Sequence, residues 1–255
     1  YETKDQITMT RFRITLEYDG TDLIGWQENR QGPSVQSVLR DAIYAFCGVR
    51  PDVVAAGRTD AGVHAIAMVA HFDLPGDYTA NTVMRAVNFY LVGRPVAILS
   101  CDIVPDDFNA RFDCVARHYK YIVLNRSAAP VLNKNRVWWV PRALDVAAMR
   151  NAATRLVGHH DFTSFRATQC QAKSPIKTLD VCNITADGDN IIFEFSARSF
   201  LHHQVRNMVG TLVEIGLGKP YDIDEIFAAR ARSAAGPTAP ASGLYFISAD
   251  YATDD

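Results

Sequence analysis

Residues 11 to 18 alternate without a break, with Phe12, Ile14, Leu16 and Tyr18 on one side and Arg11, Arg13, Thr15 and Glu17 on the other. A period of two predicts a half-buried strand, and the turn residues YDGTD close it. After Gly32-Pro33-Ser34 the period changes: Val35, Val38, Leu39, Ala42, Ile43 and Phe46 recur at helical spacing, with Ser34 placed to cap the first turn. A helix of about three turns is expected. An apolar run at 53–56, a polar insert, a second run at 66–74, a helical stretch at 80–91 and a strand near 96–103 complete the order β-α-β-β-α-β.

The remainder repeats that order with one extra helix. RHYKYIVLN, at 117–125, alternates as a strand. Asp145 can cap a helix whose buried face is Met149, Ala153 and Leu156, with Leu144 placed to staple onto Met149. TLDVCNITADGDNIIFEFSA reads as two strands joined by an Asp-Gly-Asp turn. A helix from about His202 to Gly216, a short one near 224–231 and a strand at 244–251 follow. The predicted class is α+β: two ferredoxin-like, split β-α-β halves, residues 10–112 and 113–255, packed without a linker.

A chain of 255 residues with 48% hydrophobic content can bury a substantial core. No apolar run approaches the roughly 18 to 20 residues that span a bilayer, and YETKDQITMTRFR lacks the apolar middle of a signal peptide, so a soluble, cytoplasmic protein is expected. Five widely spaced cysteines without a C-x-x-C pair argue against a disulfide framework and a zinc site. The net charge of -2 hides an asymmetry, because residues 108–210 carry 14 Lys and Arg against 7 Asp and Glu. Such a surface can gather phosphates, and a solvated charged face is the alternative.

Motifs of metal and cofactor chemistry are missing from the sequence. His159-His160 and His202-His203 are adjacent pairs, whose members are expected to point apart rather than share a metal. There is no H-E-x-x-H, P-loop, G-x-G-x-x-G or G-x-S-x-G, so neither a metal nor a nucleotide cofactor is expected. What stands out is VVAAGRTDAGVHAIAMVAHFDL, at 53–74, where Gly57, Arg58, Thr59, Asp60, Gly62 and His64 interrupt apolar sequence. By itself D-A-G is also an ordinary turn, in which Asp60 would bond its own backbone.

That string stands in company. YDGTDLIGWQ (18–27), SVQSVL (34–39), AAGRTDAGVHA (55–65), FNARF (108–112), ARHYKY (116–121), DFTSFRATQCQ (161–171), FLHHQVRNMVG (200–210) and GLYF (243–246) together resemble the TruA family of tRNA pseudouridine synthases, in family order over nearly the whole chain. Leu23 and Gln204 depart from it, standing where an aromatic residue and a methionine are common. The resemblance implies a cofactor-free isomerase with the pseudouridine synthase fold, a catalytic cleft between its halves and a homodimeric assembly. Its reaction would turn uridine into pseudouridine on the 3′ side of the tRNA anticodon stem-loop, at tRNA positions 38, 39 and 40.

By the same resemblance Asp60 is the catalytic aspartate, acting on sugar or base by attack or by proton abstraction, and Arg58 assists base flipping. Arg206 is implied as the partner of Asp60; on the expected helix it shares a face with His202, four residues earlier. Tyr119 would stack on the uracil and Leu244 pack against it. Phe108, Asn109, Arg111 and Phe112, with Gln169, Cys170, Gln171 and Lys173, are implied as tRNA-contacting loops. Two rival readings are a non-catalytic RRM-like RNA-binding protein, whose RNP1 pattern is missing from both halves, and a small-molecule lyase or hydrolase, which leaves the basic segment unexplained.

Overall fold

The structure, a computed structural model, describes residues 8–252. Its mixed α/β chain forms two compact units, one of residues 8–115 and 247–252, the other of residues 116–246.

Unit 1 is built on β1 (Met9–Tyr18), whose alternation buries Phe12, Ile14, Leu16 and Tyr18 as expected. Helix α1 (Val35–Cys47) starts at Ser34, whose hydroxyl accepts from the Ser37 amide while the Ser37 side chain accepts from the Ser34 amide. This reciprocal box satisfies two amides that a helix start otherwise leaves open. Its buried stripe of Val35, Val38, Leu39, Ala42 and Ile43 is the predicted one. Strands β2 (Val54–Ala55) and β3 (His64–Pro75) flank the polar insert, and α2 (Ala80–Leu91), capped by Thr79, leads to β4 (Val96–Val104). β1 lies antiparallel between β3 and β4, pairing Ile14 with Ala70 on one side and with Cys101 on the other. β2 pairs with β3, and the strand order is β4-β1-β3-β11, where β11 is Leu244–Tyr251.

Unit 2 has the order β11-β5-β10-β9, with β5 (Cys114–Leu124), β9 (Val181–Asp187) and β10 (Asn190–Ala197) antiparallel. Helix α3 (Val146–Thr154) is capped by Asp145 as predicted, and Leu144 and Met149 both lie against Gly216. Helix α4 (Gln204–Gly216) carries a mostly buried surface, and α5 (Ile223–Ala229) is capped by Asp222.

The expected β-α-β-β-α-β order of this half needs correction. Three more short strands intervene: β6 (Trp138–Trp139), parallel to β5, and β7 (Gly158–Asp161) paired with β8 (Ile176–Leu179). The stretch read as one strand from Thr178 breaks at Asp180, whose amide donates to Ser196 O at 2.8 Å as the chain changes partner from β7 to β10. A second correction concerns α4. His203 sits at φ 62°, the left-handed region, and caps the helix. His202 therefore lies outside it and shares no helical face with Arg206. The same kink brings the two histidine rings to 4.0 Å between centroids, so this pair does not point apart.

Candidate functional site

In unit 1 the polar insert and the YDGTDLIGWQ segment interlock through main-chain bonds. Trp26 N donates to Thr59 O at 3.0 Å, Gly62 N to Leu23 O at 3.3 Å, and Val63 N to Asp60 O at 3.2 Å. Gly25 forms a bridge with Asp60 at φ 102°, and a Cβ there would fall 2.5 Å from Thr59 O. Only glycine fits that approach. Beneath it, the Tyr18 and Thr59 hydroxyls share a buried 2.7 Å hydrogen bond. His64, almost fully buried, accepts from Gly20 N at 3.1 Å through Nδ1, which also lies 3.1 Å from Asp19 Oδ1. His64 thus holds the loop base. Thr59 is buried, Asp60 half-buried and Arg58 exposed on this fixed backbone.

The FNARF loop divides into anchors and presented side chains. Arg11 Nη1 donates to Phe108 O at 3.0 Å, Ala110 N donates to His71 Nδ1 at 3.1 Å, and the Tyr251 hydroxyl donates to Ala110 O at 2.6 Å. Asn109 Oδ1 accepts from the amides of Arg111 and Phe112, while Asp113 accepts from Asn109 N. Phe108 packs against His71 and Tyr251. Arg111 is exposed and stands 5.6 Å over the ring of Phe112, itself 71% exposed. A basic group over an open ring suits stacking and phosphate contact. Burial and the nearby Arg11 hold the His71 pKa below its ordinary value, and the two-pronged Arg11–Asp73 pair lowers that of Asp73.

In unit 2, Tyr119, Arg206 and Leu244 are tied to one framework. Tyr119 on β5 meets Phe200 and Phe246 edge-on, with centroids 5.1 and 5.2 Å away. Arg206 Nε donates to Ala239 O at 2.8 Å, and Arg206 O accepts from Ala239 N at 3.1 Å. Tyr121, on the same side of β5 as Tyr119, donates its hydroxyl to Pro240 O at 2.7 Å, and its ring lies flush against Gly243. Leu244 begins β11 immediately afterwards and is buried. Gln169, Gln171 and Lys173 are exposed and Cys170 half-buried, on a loop whose Ala167 N donates to His202 O at 2.9 Å.

Sequence pattern does not reveal the segment AGPTAP at 235–240, which joins Arg206 to Leu244; its proline and glycine read only as a turn. The available signal is indirect. Asn207 and Thr211 stand inside a helix on its fully buried side, where a polar group needs a partner.

A family model described as tRNA pseudouridine synthase matches residues 152–252. Three curated relatives, each named tRNA pseudouridine synthase A, match over 245 residues, 95% of this chain. That of Paramagnetospirillum magneticum is 53% identical over 96% of its own length, that of Rhodospirillum centenum 54% over 100%, and that of Rhodopseudomonas palustris 52% over 100%. A chain in the crystal structure of a Cbf5-Nop10-Gar1 complex aligns at TM-score 0.39 and 9% identity, covering 92% of this chain and 49% of that one. Among the described residues no helix is long and apolar enough to cross a membrane.

Proposed function

The chain belongs to the tRNA pseudouridine synthase A family and is an isomerase that forms pseudouridine in tRNA; from that premise we propose that Asp60 starts the reaction and that its targets are uridines on the 3′ side of the anticodon stem-loop. The isomerisation breaks the bond from ribose C1′ to uracil N1 and makes one from C1′ to C5. The proton leaves C5, N1 takes one up, and no atom is gained or lost. Asp60 is the carboxylate that acts on the nucleotide as nucleophile or base.

The observation that carries this reading is the interlocked loop. Main-chain bonds fix Thr59, Asp60 and Gly62 while leaving the Asp60 side chain half-exposed. A reacting group must be held against displacement of a fraction of an ångström, because misplacement by about 1 Å can cost on the order of a hundredfold in rate. Arg58, two residues away and exposed, enters the space of the extruded base. In unit 2, Tyr119 and Leu244 receive the uracil, with Arg206 beside them. Arg111 over Phe112, and the 169–173 loop, contact the tRNA backbone and unpaired bases.

Each unit is further proposed as ferredoxin-like. The antiparallel order β4-β1-β3-β2 of unit 1 supports this. The protein is proposed to act in the cytoplasm as a homodimer. The deciding experiment uses tRNA labelled with tritium at uracil C5. Release of tritium to water from the anticodon stem-loop uridines is expected, whereas tRNA binding without release would leave only the RNA-binding reading.

A further inference from the structure

Between α5 and β11 the chain runs through Ala235-Gly236-Pro237-Thr238-Ala239-Pro240, where Thr238 is the one residue with a polar side chain. Two prolines stiffen the segment and remove two amide donors, so few of its own groups can hold it down. It nevertheless lies tightly on α4: a Cβ added to Gly210 would fall 1.7 Å from Pro237 O. Helix and strap touch backbone to backbone.

The fastening is a hydrogen-bonded network rooted in α4. The Thr238 hydroxyl donates to Asn207 Oδ1 at 2.6 Å, and Arg232 Nη2 reaches Asn207 Oδ1 at 3.0 Å and Thr238 Oγ1 at 3.1 Å. Arg232 Nη1 donates to Ala235 O at 3.3 Å and Gly236 N donates to Thr211 Oγ1 at 2.9 Å. Asn207, fully buried, donates through Nδ2 to Phe165 O at 2.7 Å, which ties the DFTSF motif into the same cluster. The next residue of the strap, Ala239, bonds Arg206 through both its N–H and its C=O. The orientation of the guanidinium is therefore set by Ala239, and Ala239 is set by Thr238.

We propose that Thr238, through Asn207 and Arg232, is a positioning residue for Arg206 in pseudouridine formation. Arg206 Nε is committed to Ala239 O, which fixes the plane of the guanidinium. A neutral network suits this task better than a carboxylate clamp. Asn207 and Thr238, both neutral, locate Arg232 without neutralising it. The cationic character of this face is thus kept for an anionic substrate. The inference rests on the assignment of Arg206 to the reaction.

The test is Thr238→Val, which keeps the β-branched shape and removes the hydroxyl, read by single-turnover conversion, tRNA affinity and melting together. The expected result is a fall of about tenfold or more in the single-turnover rate, with the Kd for tRNA within about twofold. Thr238→Ser, which restores the donor, should return the rate to within about threefold of wild type. In an Arg206→Ala background, Thr238→Val should cause no further loss, because residues acting as a unit are not additive. Should Thr238→Val melt below the assay temperature, Thr238→Ala removes the same hydroxyl from a half-exposed position without bulk, and is read in its place. A wild-type rate in the valine or alanine variant, with Arg206→Ala inactive, overturns the positioning role alone. Equal losses from the valine and serine variants overturn it too. If Arg206→Ala itself retains its rate, the assignment of Arg206 fails first.

Discussion

Replacing Gly25 by alanine asks how firmly the Asp60 loop is held. The added methyl meets two separate obstacles: a φ of 102° that L-residues rarely adopt, and the Thr59 carbonyl oxygen 2.5 Å away, with Asp60 C at 3.0 Å. The backbone strain is worth about 1–3 kcal/mol, and forcing atoms into a filled space about 1–3 kcal/mol more. Together, a loss of about 2–6 kcal/mol corresponds to roughly 5–20 °C in melting temperature for a chain of this size. Two other glycines separate the terms. Gly48 at the end of α1 has φ 73° with nothing within 4 Å of its Cβ position, so Gly48→Ala isolates strain, at about 1 kcal/mol. Gly20 has no positive φ, but its Cβ would fall 2.0 Å from Val63 O, so Gly20→Ala isolates the clash. Denaturant titration of the three variants measures stability, and single-turnover conversion measures the loop. Gly25→Ala should lose at least tenfold in rate below its melting transition, because the clash falls on Thr59 and on Asp60, the residue proposed to act on the nucleotide. Gly48→Ala should keep its rate. A Gly25→Ala protein that melts within about 2 °C of wild type and converts tRNA at an unchanged rate would refute the claim that this bridge fixes Asp60.

Asp60→Asn, which keeps the size and most of the turn bonding, should abolish pseudouridine formation while tRNA affinity and melting stay near wild type; a rate within about tenfold, or about 1.4 kcal/mol of barrier, would remove Asp60 from the chemistry. Tyr119→Ala should lower turnover more than tRNA affinity in parallel kinetic and binding assays, and equal losses would place Tyr119 outside the base pocket. His71 accepts from Ala110 N through Nδ1 and has a pKa below its ordinary 6.5, so the folded state binds fewer protons than the unfolded state in the window between the two values. Stability should therefore be fully present above pH 6.5 and fall with acidification through that window. His71→Gln should flatten the change in melting temperature between pH 7 and pH 5, and an unchanged slope would show that another group is responsible.

The sequence was most legible where local chemistry decides structure. Ser34 and Asp145 cap the helices that their spacing announced, and the Asp-Gly-Asp turn joins β9 to β10 because such residues tolerate a left-handed turn, here Gly188 at φ 56°. It was least legible where distant partners decide. Asp180 looks like one more polar position in an alternating strand, but its amide pairs with Ser196, and that choice splits the strand in two. His202 fits the helical period of α4 but falls outside the helix because His203 takes a left-handed conformation that no neighbouring residue signals. At the candidate site, Asp60 draws notice because it stands in a distinctive string. Thr238 belongs to none, and the role proposed for it comes from its bond to Asn207, 31 residues away along the chain.

The last strand gives the molecule an order of assembly in time. Residues 247–252 cluster with residues 8–115, although 131 residues of unit 2 are made between them. Synthesis proceeds at about 5–20 residues per second, so the amino-terminal unit waits several seconds or more for its final piece. Tyr251, at the end of β11, supplies the hydroxyl that anchors Ala110 in the FNARF loop. The loop that presents Arg111 and Phe112 is therefore finished last, though it is encoded before the middle. Loss of Tyr251 would be felt there first, far away in sequence, and only a chain read through β11 carries that loop in its anchored form.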